Sequence, residues 1–324
     1  MSTATAVPQT HDLEGDDALA TLKRVGGTRL LRDAFERFRA ADGFSHARAL
    51  AFQIVLTAFP ALIAVVGLTV DLDQENLRRL IRETIRGVSP GPAGEILTRA
   101  FQQGSDAASN SETAVFVGLA AALIAATGAM GQIERGSNRM YGVESDRSTL
   151  MKYATAATLA VTVGVMILLA FVTFIAGSAV KDAGAATGWS DGALTIWQVA
   201  RWPVVVVFVL AGFALLFKVS PRRRQPSMSW LAAGAAVTVV SWFVFTGLLS
   251  VYLTVSRSFG ETYGPLAGII GILLWSFLTS LAVFFGLAFA AQLEAVRAGV
   301  KEPATDREAN PSPADDPAKS ASPF

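Results

Sequence analysis

The sequence predicts an all-α polytopic membrane protein: six transmembrane helices, with short amphipathic helices before the first span and between the first and second. Three observations predict it. From Gly264 to Ala291, within the stretch Tyr263 to Glu294, no side chain is charged, and at about 1.5 Å per residue this run exceeds a hydrocarbon core of roughly 30 Å. Five further stretches are apolar on every face, and a helix without a solvated face belongs in lipid or among other helices. Of 324 residues 52% are hydrophobic and 16% charged, with mean hydropathy +0.44, where a soluble domain carries about 25% charged residues.

Taken in order, residues 1–17 mix Thr, Pro, Gly and acids without periodicity and read as a disordered tail. The membrane domain covers residues 18–297. From Leu22 to Phe38, Leu31, Ala34, Phe35 and Phe38 recur at helical spacing with Arg32, Glu36, Arg37 and Arg39 on other faces. Such an amphipathic helix lies on the membrane surface or docks on the bundle. Span 1, residues 49–70, holds Gln53, Thr57 and Pro60; the proline removes one backbone bond and predicts a kink near Phe59. No cleavable signal precedes it, so span 1 is expected to target the chain.

Between Asp71 and Glu112 two amphipathic patterns flank Ser89-Pro90-Gly91-Pro92, predicting two short helices that cap one face of the bundle. Span 2, residues 113–133, carries Gly118, Ala122, Ala125, Gly128 and Ala129. Small residues let backbones approach closely, so a central place in the bundle is expected for it. Spans 3 to 6 cover residues 153–180, 196–217, 230–254 and 264–293. In the last, Gly264, Gly268 and Gly271 line one face and predict close packing within the chain. Residues 298–324, rich in Pro, Asp, Ala and Ser, read as a disordered cytoplasmic tail.

Lys and Arg in short loops mark the cytoplasmic side. They crowd before span 1 (Lys23, Arg24, Arg29, Arg32, Arg37, Arg39, Arg48), after span 2 (Arg135, Arg139, Arg147, Lys152) and after span 4 (Lys218, Arg222, Arg223, Arg224). Both termini are therefore expected in the cytoplasm, of a bacterial inner membrane once the resemblance below is added. The long connection after span 1 also holds five arginines and runs against the rule. Tyr153, Trp189, Trp197, Trp202, Trp230, Tyr252 and Tyr263 fall near span ends, as interfacial anchors do. Trp242 and Trp275 are mid-span, where an indole N–H needs a partner, so they are expected to face helices or a cavity.

The middle of every span lacks Asp, Glu, Lys, Arg and His, residues that persist in lipid only for a use such as ion coupling. The two histidines, His11 and His46, assemble no metal cluster or triad, and there is no cysteine. No phosphate-cradling glycine loop with Lys-Ser or Lys-Thr appears. The residues thus predict neither an enzyme nor a cofactor, and a net charge of +1 without a concentrated basic field predicts no nucleic-acid partner. What remains as candidate substrate or lipid contacts is Gln53, Pro60, Trp242, Trp275 and the triplet Arg222, Arg223 and Arg224, whose charge would attract anionic headgroups. The alternatives for the same residues are interhelical hydrogen bonds and a topology mark.

These residues resemble the YihY/BrkB family of bacterial inner-membrane proteins, once labelled ribonuclease BN, over about Phe35 to Leu293. The likeness lies in Arg48-Ala49-Leu50-Ala51-Phe52 with Phe59-Pro60, then Asn138 with Tyr141-Gly142-Val143 and Arg147. It continues through Ser220-Pro221, Gly234-Ala235, Tyr252, Thr262-Tyr263-Gly264, Trp275 and Gly286. It adds Asn138 and Tyr263 to the candidate contacts. One departure is that Leu287-Ala288 follow Gly286 where the family commonly has Ala-Glu; the first carboxylate here is Glu294.

The resemblance implies six helices, cytoplasmic termini and roles in envelope lipid transport, with the nuclease label regarded as an error. The expected function is a translocator or flippase-like protein for lipids or amphipathic solutes, with membrane lipids as partners. The alternative is a non-catalytic scaffold for envelope proteins. No oligomeric state is specified.

Overall fold

Lipid offers no partner to a backbone N–H or C=O, so an apolar run buried there closes its hydrogen bonds within itself, as a helix. The computed structural model describes residues 3–10, 12–70, 82, 92–110, 112–186, 190–255, 266–300, 302 and 303, and among them every regular element is a helix. The first two are α1 (Gly15–Val25) and α2 (Gly27–Ala40). The one amphipathic helix expected over this region is thus two, because Gly26 takes φ 90° and breaks the helical hydrogen-bond ladder between them.

The expected spans appear as α3 (Gly43–Val70), α5 (Glu112–Met140), α6 (Thr149–Ala186), α7 (Asp191–Val219), α8 (Met228–Val255) and α9 (Ala267–Arg297), with α4 (Pro92–Asn110) between the first two. Five of them, α5 to α9, are long and apolar enough to cross a membrane. Helix α3, 28 residues with Pro60 inside it, is the sixth. Of the two short helices expected after span 1, α4 is the second; the first falls outside the described residues.

The six helices close a ring: α3 packs on α5, α5 on α6, α6 on α7, α7 on α8, α8 on α9, and α9 on α3. Helix α9 is also the hub, since α1, α2, α4 and α5 all pack against it. The expectation that span 2 is central is corrected here. Phe116, Val117, Leu119 and Ile124 of α5 are exposed, whereas α9 is buried nearly without break from Ala282 to Ala295. The small residues of α5 serve chiefly its seam with α3, where Gln53 Oε1 stands 3.0 Å from the place of a Cβ on Gly128.

The core lies at one end of the ring. It gathers Leu30, Phe38, Leu50, Ile133, Met140, Phe217, Trp230, Leu231, Phe284, Leu287 and Leu293, and the basic loops after α5 and α7 meet there. We call it the basic end. Trp230, expected as an interfacial anchor, is fully buried in this core, while Tyr153, Trp202 and Tyr252 remain about half exposed. Toward the other end packing thins: in α8 the buried residues stop at Thr238 except for Leu249. There α4 leans on α3 and α9 through Leu97 and Ile272, joined by Val55, Leu62 and Trp275.

Candidate functional site

Two helix stops build the basic end. Helix α5 ends in a Schellman motif, with Gly142 N–H donating to Arg139 O at 3.3 Å and Val143 N–H to Asn138 O at 2.7 Å. Helix α9 ends the same way, Gly299 N–H on Val296 O and Val300 N–H on Ala295 O. Gly142 and Gly299 carry the positive φ that this stop demands, 73° and 89°. Both stops fall at the same level, so Asn138 and Tyr141 at the end of α5 stand beside Gln292 and Glu294 at the end of α9.

Arginines then tie the helix ends together. Arg37 of α2 is wholly buried; its Nε donates to Gln292 Oε1 at 2.7 Å, and its Nη1 to Thr5 O at 2.9 Å and Met140 O at 3.0 Å. Burial pulls its pKa down to about 10, which still leaves it charged at neutral pH. Arg223 pairs with Glu294 Oε1 at 2.5 Å, donates to Val7 O and Pro8 O, and lies 4.7 Å over the ring of Tyr141. Burial, and after it the Glu294 charge, push the Tyr141 hydroxyl well above its usual range. Arg147 pairs with the buried Glu134 at 3.2 Å and donates to the carbonyls of Val219, Ser220 and Pro221, so it stitches α5 to the end of α7.

Asn138 is the hinge of a second cluster. Its Nδ2 donates to Asp146 Oδ1 at 2.9 Å, and its Oδ1 accepts from the Arg222 N–H at 2.7 Å. Lys152 reaches Asp146 at 3.3 Å. Partial burial raises the Asp146 carboxyl, but the Asn138 hydrogen bond, Lys152 and Arg139 outweigh it and hold the group below its ordinary value.

Residues 3–10, expected as part of a disordered tail, form an extended strap across this end. Ala4 N–H donates to Arg139 O, Thr5 N–H to Pro303 O and Val7 N–H to Tyr141 O, and Ala4 and Val7 are buried. Thr10 gives Glu294 Oε1 two further bonds, from Oγ1 at 2.6 Å and from its N–H at 3.3 Å. Backbone groups carry most of this docking, and composition does not reveal them.

The other sequence-level candidates separate. The side chain of Arg222 turns to Ser145 Oγ and Asp146 O while the residue stays exposed, and that of Arg223 is 2% exposed, held by Glu294 and the strap carbonyls. Arg224 stays exposed. In the membrane region Trp242 Nε1 finds the expected partner in Thr279 Oγ1 at 3.2 Å. Trp275 Nε1 and the adjoining Ser276 Oγ are buried without a partner among the described residues. Gln53 and Pro60 are half-buried in α3, and Tyr263 lies outside the described residues. The basic-end cluster and the Trp242–Trp275 region belong to opposite halves of the bundle and form no single site.

Sequence reasoning passed over Arg37, Glu134, Asp146 and Glu294 as site residues, while Gln292, read from sequence as an interhelical hydrogen-bonding group, is bonded to Arg37 of α2. Arg37, expected on a face away from Leu31, Ala34, Phe35 and Phe38, instead shares the buried face of Leu30, Ala34 and Phe38 while Leu31 and Phe35 are exposed; Glu294 carried a signal as the first carboxylate after a long apolar run.

A family profile described as virulence factor BrkB matches residues 34–311. The chain is 27% identical over 261 residues to the putative ribonuclease-like protein YfkH of Bacillus subtilis, covering 79% of this chain and 92% of the relative. It is 30% identical over 104 residues to the UPF0761 membrane protein IL2447 of Idiomarina loihiensis, 32% of this chain and 36% of that one. A UPF0761 membrane protein of Alteromonas mediterranea is 24% identical over 198 residues, 58% and 62% of the two chains. No solved structure matches. On the match across most of its length, the protein is a multi-pass membrane protein that belongs to the virulence factor BrkB family.

Proposed function

We propose that the protein translocates lipids or amphipathic solutes of the bacterial cell envelope across the inner membrane, passively or driven by partners, with its basic end and both termini in the cytoplasm. The observation that carries this reading is the uneven packing of the ring. Among the described residues the buried side chains gather at the basic end and grow sparse along α8 beyond Thr238, an arrangement suited to admitting a solute from one side while the other stays shut. Helices α6 and α7 pack chiefly on their ring neighbours, so little ties that side of the ring to α3 and α9.

Polar groups at mid-membrane support the same reading. The unpartnered donors on Trp275 and Ser276, beside the Trp242–Thr279 pair, would satisfy the acceptors of a headgroup passing between apolar walls. An unpaired buried donor is costly enough to call for a partner.

The test is reconstitution. Vesicles with the purified protein and headgroup-labelled lipids should expose inner-leaflet label to an external quencher faster than empty vesicles do, and Ser276→Leu should slow this. Equal rates across a broad panel of lipids and amphipathic solutes would reject the reading.

A further inference from the structure

The strap fills a place whose chemistry is that of a ligand site. Extended chain brings the carbonyls of Thr5, Val7 and Pro8 onto two guanidiniums, Thr5 O on Arg37 and the other two on Arg223, at 2.9–3.2 Å. These carbonyls are neutral, whereas the pocket is not. Arg37, Arg223 and Glu294 together leave one positive charge uncompensated, buried, with Tyr141 as a neutral wall. A buried charge without a counter-charge is the least stable arrangement such a cluster can take.

Two atoms of the cluster are also unsatisfied while the strap is docked. Arg37 Nη2 is a buried donor without an acceptor, and Glu294 Oε2 a buried acceptor without a donor. Arg37 and Glu294 are both 0% exposed. A molecule that fits must therefore bring one negative charge, acceptor oxygens for the guanidiniums and a hydroxyl for the carboxylate.

From this we infer that Arg37, Arg223 and Glu294 form a binding site for a hydroxyl-bearing phosphodiester monoanion, and that the chain's own N-terminal strap occupies it in competition with that ligand. Phosphate oxygens replace the Thr5, Val7 and Pro8 carbonyls and reach Arg37 Nη2; the alcohol of the ligand donates to Glu294 Oε2, the oxygen that the Thr10 hydroxyl, bound to Oε1, leaves without a donor. The single net charge selects a diester over a dianionic monoester, which Glu294 repels. Two sources share this chemistry, a glycerol-phosphate lipid headgroup and a soluble glycerophosphodiester. The inference does not depend on transport, since binding is read here without flux.

Hydrogen exchange on the full-length protein in neutral maltoside micelles tests it, with phosphatidylglycerol, phosphatidylethanol or soluble glycerophosphoglycerol added. The Ala4, Thr5 and Val7 amides report the strap, and the Leu231 amide in α8 serves as the control. Phosphatidylglycerol should speed exchange at the three strap amides about tenfold and leave Leu231 unchanged. The same effect from glycerophosphoglycerol shows that the headgroup suffices, and its absence shows that the lipid is required; both support the site. Phosphatidylethanol, which lacks the hydroxyl, should act only at several-fold higher concentration.

A strap docked nine-tenths of the time lowers apparent affinity about tenfold, so Gly142→Val, which crowds the strap out, should bind phosphatidylglycerol up to tenfold more tightly. Adding Arg37→Gln should abolish that gain. No change in strap exchange with either glycerol ligand overturns the proposal on the wild-type protein alone, whether or not the variants fold. Equal potency of phosphatidylethanol overturns it as well.

Discussion

Gly234 of α8 and Gly286 of α9 lie so close that a methyl group built on either would stand 2.6–2.7 Å from the carbonyl oxygen of the other. The site on Gly286 is also occupied by Thr238 Oγ1, which donates to Gly234 O at 3.1 Å. Backbone meets backbone here, so no side chain can swing aside. Gly286→Ala should destabilise the protein by about 1–3 kcal/mol or more, the range of overpacked cores. The control is Gly247→Ala in the same helix α8, where nothing lies within 4 Å and the helix-propensity gain of roughly 0.5–1 kcal/mol should show instead. Thermal unfolding in micelles, followed by tryptophan fluorescence, gives both values. Equal melting temperatures for the two variants would refute the close crossing.

What the sequence makes legible follows from which forces are written in side chains. Six spans stand out because a run such as Gly264 to Ala291 can satisfy its backbone in lipid only as a helix, and Trp242 advertises a polar atom that must find a partner, as it does in Thr279. The strap is illegible for the opposite reason. Ala4, Thr5 and Val7 dock mainly through backbone groups that every residue owns. The basic residues mislead in one respect. Arg37, Arg147 and Arg223 sit where loop charge marks topology, yet each is spent on carbonyls and carboxylates within the fold. Rank by small residues also fails: α5 is somewhat denser in Gly and Ala than α9, but α9, placed against six neighbours, is the hub.

The Arg223–Glu294 pair predicts an order of damage. Both side chains are almost wholly buried, and removing one partner of such a pair commonly costs about 3–5 kcal/mol. The two losses differ because Arg37 shares the cluster. Arg223→Ala leaves Arg37 facing Glu294, one charge of each sign, whereas Glu294→Ala leaves two guanidiniums facing each other. Glu294→Ala should therefore be the more damaging, and adding Arg37→Met should recover part of its loss. A double-mutant cycle on Arg223 and Glu294 should give a coupling of about 0.5–3 kcal/mol. Additive single effects, or the reverse order, would contradict the shared cluster.

Acid should loosen the junction between α5 and α6. Asp146 titrates below its ordinary value of 3.8 in the folded protein because it accepts from Asn138 and pairs with Lys152. The folded state thus binds this proton less readily than the unfolded chain, and stability rises with pH across the interval between the two values. The margin of the wild type over Asp146→Asn should be complete above about pH 5. It should shrink below 3.8 and vanish as pH falls through the depressed folded value. Melting temperatures of both proteins in micelles from neutral to acid pH measure this. A margin that does not change with pH would show that Asp146 acts as a hydrogen-bond acceptor without its charge.

Gly142 and Gly299 separate the strap from the helix stops. Each has positive φ, so a side chain at either meets the same left-handed penalty, about 1–2 kcal/mol. They differ in surroundings: a Cβ on Gly142 would stand 2.6 Å from Ala6 N and 2.8 Å from Ala4 O, whereas nothing lies within 4 Å at Gly299. Gly299→Ala should lower stability by the backbone penalty and leave the Ala4 and Val7 amides as protected as in the wild type. Gly142→Ala should incur the same penalty and also push the strap off, so that those two amides exchange as freely as a terminus while the α8 and α9 amides stay protected. Because the strap's docking spans α5, α9 and the loop after α7, protection of Thr10 should fall together with that of Ala4. Retained protection in Gly142→Ala would mean that the strap is held by Arg37 and Arg223 alone, without the close approach over Gly142.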